Sequence, residues 1–96
     1  MLLYKKIMVG KRYAEAVCFK LLKRNLIVIR GKYGYIMCGY LDDKLSAKLK
    51  EAAVKIIGVS TINEALKGSV YSCTAQAKKL GIYPGQKARD ALKSIV

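Results

Sequence analysis

Two hydrophobic periods divide this chain near Leu41. Ahead of that point, apolar and polar side chains alternate. Residues 6–9, Lys-Ile-Met-Val, predict a first strand stopped by Gly10. Over residues 14–21, Glu15, Val17, Phe19 and Leu21 fall on one face and Ala14, Ala16, Cys18 and Lys20 on the other, the period of two of a strand. Lys23-Arg24-Asn25 is a polar turn, and residues 26–30 are β-branched and apolar enough for a buried strand. Gly31 to Gly34 reverses the chain, and residues 35–41 run back beside it. Four strands joined by short turns predict an antiparallel meander.

Beyond Leu41 the period lengthens. Asp42 and Asp43 suit a helix start, where a carboxylate caps free amides and meets the positive end of the dipole. Leu45, Leu49, Ala52, Ala53 and Ile56 recur at helical spacing, and Gly58 is a natural terminator. A competing reading breaks this helix near Ala53 and makes residues 54–59 a further strand; periodicity leaves both open. Thr61-Ile62-Asn63-Glu64 is a capping box that opens a short helix ending at Gly68. Residues 70–73 predict a short strand and residues 74–80 a helix closed by Gly81. Tyr83-Pro84-Gly85 is a turn, and a last helix buries Ala88, Ala91, Leu92 and Ile95. Strands followed mainly by helices predict an α+β domain over residues 1–96: an N-terminal antiparallel sheet of about four to five strands packed on one face by C-terminal helices.

Composition sharpens this picture in two places. Hydrophobic residues make up 53% of 96 residues, above the ordinary share for a soluble domain. A chain this short buries only roughly 60% of its unfolded surface, so the excess predicts a homo-oligomer. Lysine and arginine number 19 against 6 acids, a formal charge of +13, and up to Leu41 only Glu15 opposes the cations. Such a field favours polyanions, nucleic acid among them, in a salt-dependent way. No apolar run reaches the length of a membrane span, and Lys5-Lys6 interrupts anything resembling a signal peptide, so the expected location is the cytoplasm. Three widely spaced cysteines and no histidine match neither a disulfide framework nor a zinc site.

The candidate chemistry is sparse. Cys38 is the one possible nucleophile, between a strand and an expected helix start, with cations plentiful but no histidine base. The plainer account of Cys38 is a small buried hydrophobe. Cys18 and Cys73 read as packing residues. Arg30, Lys32, Tyr33 and Tyr35 could form a basic and aromatic platform for unpaired bases, provided that Tyr33 and Tyr35 point outward. The glycines of residues 31–34 and 81–85 lack a phosphate-loop order and read as turn glycines with positive φ. The acids look committed to caps and to local pairs, Asp90 with Lys87 or Lys93. No metal or cofactor is expected.

Three segments carry a family resemblance: residues 34–41 (Gly-Tyr-Ile-Met-Cys-Gly-Tyr-Leu), Ala52-Ala53 with Gly58-Val59, Thr61, Glu64 and Leu66, and Gly81-Ile82, Gly85 with Arg89-Asp90-Ala91-Leu92. The chain resembles the YunC-like family, a small bacterial and archaeal domain of unknown function. The resemblance implies a fold and no activity. Lys87 stands where the family tends to place a small hydroxylated residue, and Lys50 where it tends to place glycine. The first departure removes a conventional helix cap, worth about 1 kcal/mol; the second should favour a continuous first helix. The functional expectation is a non-catalytic oligomeric module that binds an acidic partner or ligand through its basic surface. The alternatives are a thiol-dependent or redox-responsive protein using Cys38 and a purely structural assembly subunit.

Overall fold

Alternation along the first half yields a long hairpin and two further strands, in a computed structural model that describes residues 2–38 and 43–96. The strands are β1 (Leu2–Val9), β2 (Arg12–Lys20), β3 (Asn25–Arg30), β4 (Tyr35–Met37), β5 (Ala53–Lys55) and β6 (Ser72–Cys73), in that order across one sheet. The helices are α1 (Asp43–Lys48), α2 (Ile62–Lys67), α3 (Ala75–Lys79) and α4 (Ala88–Ile95). The α+β class stands, with one strand more than expected. The sheet is mixed: β4 and β5 run parallel, Ile36 opposite Val54, and every other neighbouring pair is antiparallel.

The register places Ala14, Ala16 and Cys18 in line with Ile27, Ile29 and Ile36 on one face. That face carries the core. α2 and α4 cover it with Ile62, Ala65, Leu66, Ala88, Ala91, Leu92 and Ile95, all buried. Ala14 and Ala16 are fully buried, and their small size lets the helices approach the strands. The other face is covered only in part. Tyr35, Met37 and Ala53 lie on it, and α1 meets it where Ser46 shares a hydrogen bond with the Tyr35 hydroxyl. Helices therefore sit on both faces rather than one.

The single long helix expected over residues 42–56 does not form. α1 ends at Lys48, Leu49 is exposed, and residues 53–55 are a strand, nearer the competing reading. The break has a clear cause. The amide of Glu51 donates to the Ser46 carbonyl at 3.0 Å and Lys50 takes φ 57°, a left-handed helix stop normally built with glycine. Lys50 thus occupies the conformation that the family's glycine would suit, and the substitution does not prolong the helix. The caps expected of Asp42 and Asp43, the burial expected of Leu45 and the strand end at Gly39, Tyr40 and Leu41 lie outside the described residues.

Other local expectations hold with adjustments. Thr61 caps α2, accepting from the Glu64 amide at 3.0 Å, while the Glu64 carboxylate reaches one residue further back, to the Ser60 amide at 3.1 Å. Lys87 precedes α4 without a side-chain cap, and Asp90 pairs with Lys93 at 3.7 Å. Gly81 and Gly85 have positive φ, but Gly31 and Gly34 do not. Those two are needed for closeness: a Cβ on Gly31 would stand 2.2 Å from the Ile95 carbonyl oxygen, and one on Gly34 would stand 2.5 Å from that of Ala52.

Thr74 is the polar residue that the pattern of residue types did not single out. Its buried hydroxyl accepts from the Ala53 amide at 3.0 Å and the Ala77 amide at 3.3 Å, and donates to the Glu51 carbonyl at 2.7 Å. One side chain thereby caps α3 and fixes the start of β5.

An L-residue in the left-handed region costs roughly 1–2 kcal/mol, partly offset by the extra backbone entropy that glycine loses on folding. Lys50→Gly should therefore stabilise the fold by about 0.5–1 kcal/mol, read as a melting temperature several degrees higher. An unchanged or lower melting temperature would show that the lysine side chain offsets its backbone strain.

Candidate functional site

Two turns bring the basic residues of the first half together. The β1–β2 turn has two residues, Gly10 and Lys11, with Gly10 first and at φ 64°, the form that matches the twist of a hairpin. It presents Lys11 and Arg12 at the tip of the ribbon. The β3–β4 turn is closed by the Gly31 amide donating to the Gly34 carbonyl at 2.8 Å, and it is tied to α4 by the Tyr33 amide donating to the Ile95 carbonyl at 2.8 Å. Between the two turns lies an open cleft of about 670 Å³ lined by Lys11, Arg12, Tyr13, Glu15, Arg30 and Lys32 among others.

Charge in this cleft is unbalanced. Arg30 donates to the Glu15 carboxylate at 2.7 Å and the Tyr4 hydroxyl donates to it at 2.9 Å. The Arg30 guanidinium, and then the Tyr4 hydroxyl, hold the Glu15 carboxyl below its ordinary range. Glu15 in return raises the Arg30 guanidinium and the Tyr4 phenol. The cleft's acid is thus taken up by its nearest cation, which leaves Lys11, Arg12 and Lys32 without an acidic partner among the described residues.

The four residues expected to form a platform divide. Arg30 and Lys32 line this cleft, and with Tyr33, Tyr35, Lys50 and Glu51 they also line a shallower neighbouring recess of about 280 Å³. Tyr33 is exposed, with the Lys32 ammonium 5.5 Å from its ring centre. Tyr35 is not an open ring: it is half-buried, bonded to Ser46 and donating to Glu51 at 3.1 Å, with burial raising its phenol. Two further exposed tyrosines lie nearby: Tyr13, with the Lys6 ammonium 3.9 Å from its ring centre, and Tyr4, whose hydroxyl is bonded to Glu15. Extending the alternation of residues 14–21 back by one position would put Tyr13 on the face of Glu15 and Val17, a signal the sequence does carry. Tyr4 precedes the strand expected over residues 6–9, and β1 reaches it by starting at Leu2.

Cys38 sits just past β4, where β4 and β5 run parallel. It lines a second cleft of about 630 Å³ with Arg24, Asn25, Lys55, Ser60 and Tyr71 among others. Cys38 is nonetheless buried, 5% exposed as a residue. It accepts the Ile27 amide at 3.5 Å and donates to the Asn25 carbonyl at 3.9 Å, so its hydrogen-bonding capacity is spent on the backbone of β3. Cys18 is buried in the core, and Cys73 is half-buried, its thiol pushed up by burial. Cations rim the Cys38 cleft, yet the thiol lies beneath its surface.

A family model described as a domain of unknown function (DUF1805) matches residues 37–95. The uncharacterized protein YunC of Bacillus subtilis (strain 168) is 40% identical over 90 residues, which is 90% of this chain and 89% of that protein. The crystal structure of a protein of unknown function, TA1206 from Thermoplasma acidophilum, matches with a TM-score of 0.95 at 31% identity, covering 100% of this chain and 94% of that one.

Two measurements test the site. Because the folded-state carboxyl of Glu15 is depressed, its contribution to stability is complete above the ordinary glutamate value near ~4.3 and is lost as pH falls through the lower folded value. Urea titrations of Glu15→Gln and wild type should therefore differ near neutral pH and converge in acid; a pH-independent difference would assign the effect to packing. Cys38 in the folded protein should react with iodoacetamide more slowly than free cysteine near neutral pH, as followed by mass spectrometry. A rate equal to or above that of free cysteine would assign the second cleft to thiol chemistry.

Proposed function

This chain belongs to the DUF1805 family of YunC-like domains of unknown function, and we propose that it is a non-catalytic module that binds an acidic partner through the cleft between its β1–β2 and β3–β4 turns. The observation that carries this reading is the neutralisation of Glu15 by Arg30 and Tyr4 within a cleft, also lined by Val96, whose remaining charged side chains, Lys11, Arg12 and Lys32, are all positive. A concave site of this kind concentrates anions, and its volume falls within the usual ~300–1,000 Å³ of ligand sites. Tyr13 adds an aromatic wall on which a planar group can rest. Phosphate is the chemistry best matched to one guanidinium and two ammonium groups on short turns. Cys38, buried and bonded to the backbone, has no part in this reading.

Filter binding to single-stranded RNA and to heparin across a salt series tests the proposal. Affinity for RNA should fall steeply with salt, and the triple change Lys11→Gln, Arg12→Gln, Lys32→Gln should flatten the log–log slope by about 2. A control with equal charge loss elsewhere, Lys67→Gln, Lys78→Gln, Lys79→Gln, should flatten it less. No binding to either polymer at low salt, or equal losses in both variants, would overturn the proposal; the former outcome leaves a structural assembly subunit.

A further inference from the structure

The outer face of the β1–β3 half of the sheet is apolar and uncovered. Register places Leu2 opposite Phe19, Tyr4 opposite Val17, Lys6 opposite Glu15 and Met8 opposite Tyr13 on this face, and it continues to Leu26 and Val28 on β3. Leu2, Tyr4, Met8, Tyr13 and Phe19 are 60%, 59%, 61%, 49% and 47% exposed. α1 covers the face only toward β4 and β5, where Met37 and Ala53 are buried. We infer that this face is the contact surface for a second copy of the chain, sheet against sheet.

Area is the first argument. Five side chains of roughly 200 Å² each, about half exposed, present on the order of 500 Å² before Val17, Leu26 and Val28 are added. The largest apolar patch on a monomer is usually ~300–600 Å², and a stable pair buries about 800 Å² per partner. The face therefore lies in the upper part of the range for a monomer and supplies more than half of what each partner of a stable pair buries.

Charge is the second. The ionised groups on the face are satisfied within one protomer: Glu15 by Arg30 and Tyr4, Lys6 over the ring of Tyr13. An acidic protein or a nucleic acid would find its counter-charges instead at the turn tips, Lys11, Arg12 and Lys32. What the face offers is apolar area with its polar groups already paired, as homodimer interfaces require.

The third argument excludes the alternative mode for the same partner. β1 is an edge strand of eight residues, long enough to pair with another β1. Lys5 and Lys6 occupy its middle, so antiparallel pairing of two copies centred there would set like charges opposite one another. The edge is thus blocked by charge and the face remains open. Two such faces can pack about 10 Å apart around a two-fold axis with the strands crossing at about 30°.

Sedimentation equilibrium tests this at several micromolar concentrations and physiological salt. Wild type should show about twice the 10.6 kDa of the chain. Phe19→Glu and Tyr4→Glu should fall to the single-chain mass with unchanged far-ultraviolet circular dichroism. Should either fail to fold, Leu2→Lys, at the exposed end of β1, carries the same expectation without touching the core. Lys5→Ala should keep the doubled mass, and so should the Lys11/Arg12/Lys32 triple change, which separates this inference from the anion-binding reading. A wild type that remains at single-chain mass, or a doubled mass that survives Phe19→Glu and Leu2→Lys, overturns it. A single-chain wild type whose RNA affinity falls with Phe19→Glu would give the face to nucleic acid instead.

Discussion

The approach of the β3–β4 turn to the last turn of α4 is the constraint on which the arrangement depends. Gly31 leaves no room for a side chain against the Ile95 carbonyl, and the Tyr33 amide bonds to that same oxygen. α4 is held in turn by the burial of Ala88, Ala91, Leu92 and Ile95 against α2 and the sheet. This close contact ties the β3–β4 turn of the strand-rich first half to the last helix of the second. It also decides where charge gathers, because Arg30 and Lys32 flank Gly31 and are carried with it to the side of Lys11 and Arg12. The fully buried Ala14 and Ala16 make the contact possible from below, since larger side chains would lift the helices from the strands.

How much of this was legible in the sequence depended on the range over which each feature is decided. The alternation over residues 14–21 gave the body of β2 and its two faces but not which face is buried; the helices lie over Ala14, Ala16 and Cys18. The cap at Thr61 and the missing cap at Lys87 were local and readable. The end of α1 was not, because a lysine at φ 57° carries no turn signature, and the apolar spacing from Leu49 to Ile56 mimics a helix. What overrides that spacing is tertiary: the parallel pairing of Ile36 with Val54 and the bond from Thr74 to the Ala53 amide, twenty-one residues away.

The candidate site was legible in part for the same reason. Arg30 and Lys32 stood out by their place in a glycine turn. Lys11 and Arg12 gained meaning only from the hairpin register and from the docking of a different turn. Tyr35 was drawn aside by Ser46 and Glu51, residues whose closeness arises from the β4–α1–β5 crossover. The apolar surplus in the composition was visible from the start, but its position on the outer face of β1 and β2 required the strand pairing.

The hydroxyl of Thr74 has a consequence for how the chain opens. It is shared by Glu51, Ala53 and Ala77, so α3 cannot fray from its first turn without stripping a buried amide at the head of β5. Amide hydrogens in these two segments should consequently trade with deuterium as a single cooperative unit, although α3 is a helix of five residues that would not survive alone. A short helix at the margin of the sheet thereby acquires the protection of the interior.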